Sequence, residues 1–284
     1  MSEVDARRSA SLVLVATPIG NLGDLSPRSI EALTTADSIA CEDTRRTGSL
    51  LAHFGIAHDP FLVCNDHTEA AASAEVVARI ERGEVVALVS DAGTPAVSDP
   101  GHRVVEAVIA AGYPVEAVPG PSAALVGLLV SGLATDRFCF DGFLPRKGAE
   151  RARSIDALVN ESRTVVLFEA PHRLERTAAD LRDALGDDRQ ITLARELTKK
   201  FEEVWRGTLG EVPAHLAANQ PRGEYVLVLA GAAPVDASET ALRAALTREA
   251  EGGATRRDAV ETVVSMTGAK KRTVYDLALE LDFS

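Results

Sequence analysis

Aromatic residues make up only 4% of the 284 positions. A core of this chain must therefore be built from Val, Leu, Ile and Ala, as buried parallel sheets usually are. Cysteine is scarce as well: Cys41, Cys64 and Cys139 lie far apart, with no Cys-x-x-Cys or Cys/His ligand spacing. That argues against a zinc site, no metal is expected, and the pattern fits buried thiols in a reducing cytoplasm. No apolar stretch approaches the roughly 20 residues of a membrane span, so no membrane partner is expected. The opening MSEVDARRSAS is polar and lacks the apolar segment of a secretory signal. Internal repeats and low-complexity tracts are missing. So are the G-x-G-x-x-G of dinucleotide sites and the Lys of a P-loop. Excess positive charge is also missing. The net charge of −12 argues against a protein that coats polynucleotides nonspecifically.

What is present is a βα rhythm. With 46% hydrophobic and 25% charged residues, a sizeable packed core is expected and wholesale disorder is not. Leu12–Ala16, Ser38–Cys41, Val85–Val89 and Val115–Val118 read as strands alternating with helical stretches, which predicts a mostly parallel first sheet. After Ser131-Gly132 the pattern changes. Phe138–Phe140, Thr164–Phe168, Ile191–Arg195, Val204–Leu209 and Tyr225–Leu229 read as strands with fewer long helices between them, which predicts a mixed, partly antiparallel second sheet. Gly231–Asp236 reads as a linker, and three helices follow. The expected organisation is an α/β chain with an N-terminal domain over 1–132, a second α/β domain over 133–235 and a small C-terminal helical extension over 236–284. The last two helices around Thr267-Gly268 resemble a helix-turn-helix, although a helical cap on the second domain is the favoured reading.

The chemistry-bearing residues sit where strands end. Val85–Gly101 (VVALVSDAGTPAVSDPG) is an apolar strand that delivers Asp91, Gly93 and Thr94 at its C-terminal end, and LVLVATPIGN and VEAVPGPSA are sister segments. Open α/β sheets build ligand sites at such ends. One such loop is ordinarily a plain turn; three on one sheet edge predict a shared cleft. Cys41–Gly48 (CEDTRRTG) places two carboxylates and two guanidinium groups at the same edge. Phe168–Arg173 (FEAPHR) and Arg195–Lys200 (RELTKK) repeat the theme in the second half. His67 and His172 read as ordinary loop and structural histidines. Two basic clusters stand out in an acidic chain, PRKGAERAR at Pro145–Arg153 and Lys270-Lys271-Arg272, each by itself equally readable as a solvated face.

Eight ordered runs, VATPIGNLGDLSPRSIEAL, CEDTRRTGSLL, VSDAGTPAVSDPG, PGPSAALVGLLVSGL, FDGFLPRKGAER, FEAPHRL, RELTKKFEE and GEYVLVL, resemble the ribosomal RNA small subunit methyltransferase I family. That family is a branch of the tetrapyrrole-methylase-like, class III methyltransferases. The resemblance covers roughly Leu12–Leu229. It implies two α/β domains with S-adenosylmethionine between them, methylation of the ribose 2′-hydroxyl of a cytidine in the decoding region of 16S rRNA, a small-ribosomal-subunit partner, a homodimer and a cytoplasmic setting. Residue by residue it implies cofactor contacts at Pro18, Ile19 and Gly20, at Asp91, Gly93 and Thr94, at Pro119, Gly120, Ser122 and Ala123, and at Phe168 and Ala170 with Glu169 between them. It implies an RNA-facing loop at Pro145–Arg153.

Two departures are visible: Val63–Thr68 replaces a Tyr-His-x-His-Asn-type stretch, and Phe168 stands where Tyr is frequent. A ribose hydroxyl is a weak nucleophile, so a base or an alkoxide-stabilising cation is needed. Glu42, Asp43, Glu169 and Lys147 are the candidates. Arg45, Arg146, Lys147, Arg151 and Arg173 are the candidate phosphate ligands. A tetrapyrrole methyltransferase and a non-catalytic RNA-binding assembly factor are the competing readings. The basic loop and the helical tail speak against the first, because a macrocycle needs neither.

Overall fold

The computed structural model describes residues 9–57, 61–233 and 238–283. Five parallel strands form the first sheet: β1 (Ser11–Val15), β2 (Ser38–Cys41), β3 (Phe61–Val63), β4 (Val85–Val89) and β5 (Val115–Val118), in the order β3-β2-β4-β1-β5. Strands β1, β2 and β4 are almost fully buried, as expected of strands whose residues are apolar on both faces. Helices α1 (Pro27–Thr35), α2 (Thr44–His53), α3 (Glu69–Glu81) and α4 (His102–Ala110) connect them. Ser26 caps α1 by accepting from the Ser29 amide, with Pro27 at the first helical position. Strand β3 was not expected from the sequence; it is three residues long and half exposed.

This strand order dictates where ligands go. β4 lies between β2 and β1, and β1 lies between β4 and β5. The loops leaving all four strands therefore abut at one edge of the sheet.

The second sheet is mixed as expected: β6 (Phe138–Phe143), β7 (Thr164–Glu169), β8 (Gln190–Arg195), β9 (Glu203–Thr208) and β10 (Tyr225–Leu229), in the order β6-β7-β10-β8-β9. Only β6–β7 is parallel. One face packs on α6 (Gly148–Val159), α7 (Pro171–Leu185) and α8 (Val212–Ala218) through Leu167, Leu174, Leu181, Leu193 and Leu227. The other face, through Val166, Ala194, Val226 and Val228, packs on Ala124 and Leu128 of α5 (Ala123–Ser131) and on Ile19. Gly127 makes this possible: a Cβ there would stand 2.5 Å from Val226 Cγ1. Helix α5 thus belongs to the second layer, and the chain crosses between layers at the 119–122 turn, ahead of the boundary expected at 132.

The tail forms α9 (Glu239–Glu251), α10 (Arg256–Thr267) and α11 (Lys271–Ala278), with Gly268 in the left-handed conformation between the last two. These helices share a core of their own, built on Leu242, Leu246, Val260, Val263 and Val274. They form a three-helix unit rather than a layer of the second domain's core. The expected boundary at 235/236 lies outside the described residues. Cys41 and Cys64 are buried; burial pushes the Cys64 thiol up to about 11. No helix among the described residues is long and apolar enough to cross a membrane.

Candidate functional site

Hydrogen bonds tie the strand-end loops together. The Thr17 amide donates to the Gly93 carbonyl at 2.8 Å, and the Gly93 amide returns a bond to the Thr17 carbonyl at 3.1 Å. Thr17 Oγ1 donates to the Ser90 carbonyl at 3.2 Å. Thr94 Oγ1 donates to the Pro121 carbonyl at 3.2 Å. From the β2 side the Asp43 amide donates to Asp91 Oδ1 at 3.1 Å, and Arg46 approaches Asp91 Oδ2 at 3.4 Å. Gly93 adopts φ +86°, a conformation open to glycine at little cost.

These loops face the second sheet across a cleft of about 410 Å³, a size suited to a small ligand. Ile19, Asp91, Gly93, Thr94, Ser122, Ala123, Phe168 and Ala170 line it. A wider groove of about 710 Å³ adjoins it, lined by Pro18, Gly20, Asp43, Arg45 and Arg46, and Asp91 and Arg46 border both. Pro119 and Gly120 line neither. Gly120 instead allows close approach to β1, since a Cβ there would stand 2.9 Å from Ala16 Cβ.

The cleft is acidic. Glu42, Asp91 and Asp99 all border it. Burial, with Asp91 and Asp66 nearby, pushes Asp99 up to about 6, although a hydrogen bond from Ser90 opposes the shift. Burial and then the charges of Asp91, Asp99 and Asp66 also push Glu42 up. Asp99 was not singled out in the sequence, where the Ser98-Asp99-Pro100-Gly101 run follows the strand-end Asp91, Gly93 and Thr94 within Val85–Gly101. The segment is a left-handed turn, with Ala96 at φ 66° and Ser98 at φ 60°, that swings the carboxyl into the cleft. Glu69 holds this turn from α3. Its buried carboxylate accepts from the Gly101 amide at 2.7 Å and the Arg103 amide at 3.1 Å.

Several expected roles change. Asp43 caps α2 and is gripped by Arg45, whose side-chain and backbone hydrogen bonds lower it to about 2. That leaves it a poor proton acceptor. Glu169 is 2% exposed; its carboxylate accepts from Thr177 Oγ1 at 2.6 Å and the Ala170 amide at 2.9 Å, and pairs with Arg173 at 3.2 Å. Strand alternation turns the Glu169 side chain to the face opposite Phe168, and these bonds tie it to α7, although the residue still lines the cleft. Arg151 is 4% exposed and bonds Asp180, Thr177 Oγ1 and the Pro145 carbonyl. Arg173, largely covered, bonds the Leu144 carbonyl besides Glu169. Neither guanidinium is presented to a phosphate; both pin the end of β6. Arg45, Arg146 and Lys147 are exposed. Lys147 borders neither cavity.

A third charged element crosses over from the second layer. Glu196 and Thr198 adopt φ 50° and 66°, which brings Lys199 over Gly20, where a Cβ would stand 2.3 Å from Lys199 Cγ. Lys199 bonds Glu196 at 2.9 Å and Glu224 at 2.7 Å.

The family of tetrapyrrole (corrin/porphyrin) methylases matches residues 11–213. A ribosomal RNA small subunit methyltransferase I from Synechocystis sp. is 47% identical over 95% of this chain and 98% of its own length. One of the same name from Xylella fastidiosa is 43% identical over 93% and 97%. Among solved structures, a uroporphyrin-III C-methyl transferase from Thermus thermophilus complexed with S-adenosyl homocysteine aligns at TM-score 0.52 and 20% identity, covering 78% of this chain and 96% of that one. At that identity the likeness concerns the fold.

Proposed function

The chain belongs to the ribosomal RNA small subunit methyltransferase I family, within the tetrapyrrole (corrin/porphyrin) methylases, and from that membership we propose that it methylates the ribose 2′-hydroxyl of a cytidine in 16S rRNA, using S-adenosylmethionine. It is an enzyme, a methyltransferase. The observation that carries the reading is the acidic cleft bounded by the Thr17–Gly93 bridge on one side and Phe168 and Val226 on the other. When bound, S-adenosylmethionine supplies a methyl group on a sulfonium cation. Cleft and cofactor fit chemically, because Asp91, Glu42 and Asp99 give the walls the opposite sign. Ile19, Gly93, Thr94, Ser122, Ala123, Phe168 and Ala170 would hold it.

Of the acids, Asp99 and Glu42 are placed to accept the ribose hydroxyl proton. Both border the cleft, and both are held nearer neutrality than ordinary carboxylates, which suits a general base. Asp91, clamped by the Asp43 amide and Arg46, orients the loop. Exposed Arg45, Arg146 and Lys147 would contact phosphates, which sets position and salt dependence rather than sequence. A cytoplasmic setting and a homodimer complete the reading. Exposed Leu125 (50%) and Leu129 (72%) one turn apart on α5, with the free edge of β5, supply an apolar surface that suits a second copy.

The test is transfer of labelled methyl from S-adenosylmethionine to small-subunit particles, followed by nuclease mapping. Label on a cytidine ribose is expected. Label on a base, or turnover of a tetrapyrrole in place of RNA, overturns the assignment.

A further inference from the structure

Phe143 is half exposed (51%) although it borders the cleft, and the fold places it there by a specific device. Strand alternation would set Phe143 on the face opposite Phe140. Between Phe140 and Gly142, however, the register with β7 slips by one: Phe140 pairs with Val166, yet Gly142 pairs with Leu167 and Phe143 with Phe168. Asp141 is the extra residue of a bulge, and bulges re-aim side chains. Phe143 thereby joins Phe140 on the cleft face. Both rings meet Phe168 edge-on, at 4.9 Å and 65° for Phe140 and at 5.6 Å and 64° for Phe143. Gly142, at φ 62°, lets the bulged strand lie against the turn of the first layer, where a Cβ would stand 2.7 Å from Ser98 Oγ. Ser98 precedes Asp99. Three and four residues beyond Phe143 come the exposed Arg146 and Lys147.

A ring held edge-on by one neighbour, with much of its surface open, bordering the same cleft as the Asp99 carboxyl and ahead of two exposed cations, matches the parts of a nucleotide. We propose that Phe143 is a stacking platform for a nucleobase of the RNA substrate, with the adjoining backbone phosphates on Arg146 and Lys147. The platform rests on the RNA methyltransferase reading above and names how that same site engages its substrate. Aromatic faces accept any base, so it contributes affinity and placement rather than sequence choice. Phe143 is a positioning residue and takes no part in proton or methyl transfer.

The test compares Phe143→Ala, Phe143→Leu and Phe143→Trp with the parent in two assays. In the first, methyl transfer to small-subunit particles, Ala and Leu raise KM for the particle by roughly ten-fold or more, with a smaller change in kcat and unchanged affinity for S-adenosylmethionine; Trp stays within about three-fold of the parent. In the second, a single-stranded RNA carrying a fluorescent cytosine analogue is titrated without cofactor. Quenching is expected with the parent and Trp and is lost with Ala and Leu. Leu matching Trp in both assays would reduce Phe143 to an apolar filler. A parallel loss of S-adenosylmethionine affinity in Ala would assign it to the cofactor wall. Either result overturns the platform. If the parent itself transfers no methyl to particles, the methyltransferase reading fails while the quenching assay still decides the platform.

Discussion

The guanidinium of Arg151 donates to the carbonyl oxygen of Pro145 at 3.0 Å. A residue that looks like part of a basic RNA-binding run is instead the internal strut of that run. Its remaining donors go to Asp180 and Thr177, and Arg173 performs the same service for the Leu144 carbonyl. The charges of PRKGAERAR therefore divide into those that hold the loop and those that the loop presents.

That division predicts opposite phenotypes. Arg151→Ala leaves the Pro145 carbonyl and Thr177 Oγ1 without this donor, and is expected to destabilise the fold by about 1–3 kcal/mol. The half-buried partner Asp180 re-solvates, which keeps the loss at the lower end for a buried pair. Thermal denaturation reads this directly. The double variant Arg146→Ala, Lys147→Ala should melt like the parent. Its RNA affinity should fall, and the slope of log affinity against log salt should shrink by about 1–2. An Arg151→Ala protein that melts normally but binds RNA weakly would return Arg151 to the interface.

Asp99 predicts a pH dependence with a definite sign. Its folded value of about 6 exceeds the ordinary 3.8, so between these values the folded state binds more protons than the unfolded one. Stability contributed by this group therefore falls as pH rises from about 4 to about 6 and stays reduced above that. Asp99→Asn should raise stability at pH 7–8, on the order of 1–2 kcal/mol once the partly open site is discounted for solvent screening, with little difference near pH 4. Catalysis should move the other way. If Asp99 takes the hydroxyl proton, kcat/KM for the parent rises through pH about 6, and Asn lowers kcat by about 10²–10⁴-fold. A stabilised variant with parental kcat would shift the base to Glu42.

Much of this arrangement was legible in the sequence. Strand-end glycines, prolines and aspartates announced the loops, and the β1, β4 and β5 assignments required them to meet once the strand order was known. Features fixed by three-dimensional alternation and by the bulge were not legible. FEAPHR places Glu169 next to Phe168, yet β7 turns the two side chains to opposite faces. Nothing in the SDPG run announces that left-handed Ala96 and Ser98 carry Asp99 into the cleft. Arg151 and Arg146 are indistinguishable by type and neighbourhood; Arg151 falls on the face of α6 that is buried with Ile155 and Leu158, whereas Arg146 lies in the loop ahead of the helix. The edge strand β3 was too short to announce itself.

Glu69 supports the turn that carries Asp99. With its carboxylate removed, the Gly101 and Arg103 amides at the start of α4 lose their acceptor. Glu69→Ala is expected to cost about 1–3 kcal/mol and to lower kcat through misplacement of Asp99, with affinity for S-adenosylmethionine changed much less. Glu69→Gln keeps one amide acceptor and should recover most of both losses. Equal damage from Gln would mean that the negative charge matters more than the hydrogen bonds.

Gly20 offers a test of the contact between layers. A Cβ at this position would stand 2.3 Å from Lys199 Cγ, 3.0 Å from Thr198 Oγ1 and 3.3 Å from the Leu197 carbonyl. The first clash involves a side chain that can move, but Lys199 is tethered to Glu196 and Glu224, and the backbone behind it is already held in left-handed turns. Gly20→Ala should therefore push the 196–199 loop away from the first sheet, destabilising by about 1–3 kcal/mol and weakening cofactor binding measured by calorimetry. Lys199→Ala removes the nearest obstructing atom. Combining the two should restore part of the Gly20→Ala loss, giving a double-mutant coupling of about 0.5–2 kcal/mol. Strict additivity would show that the loop does not need to touch Gly20 for the cleft to form.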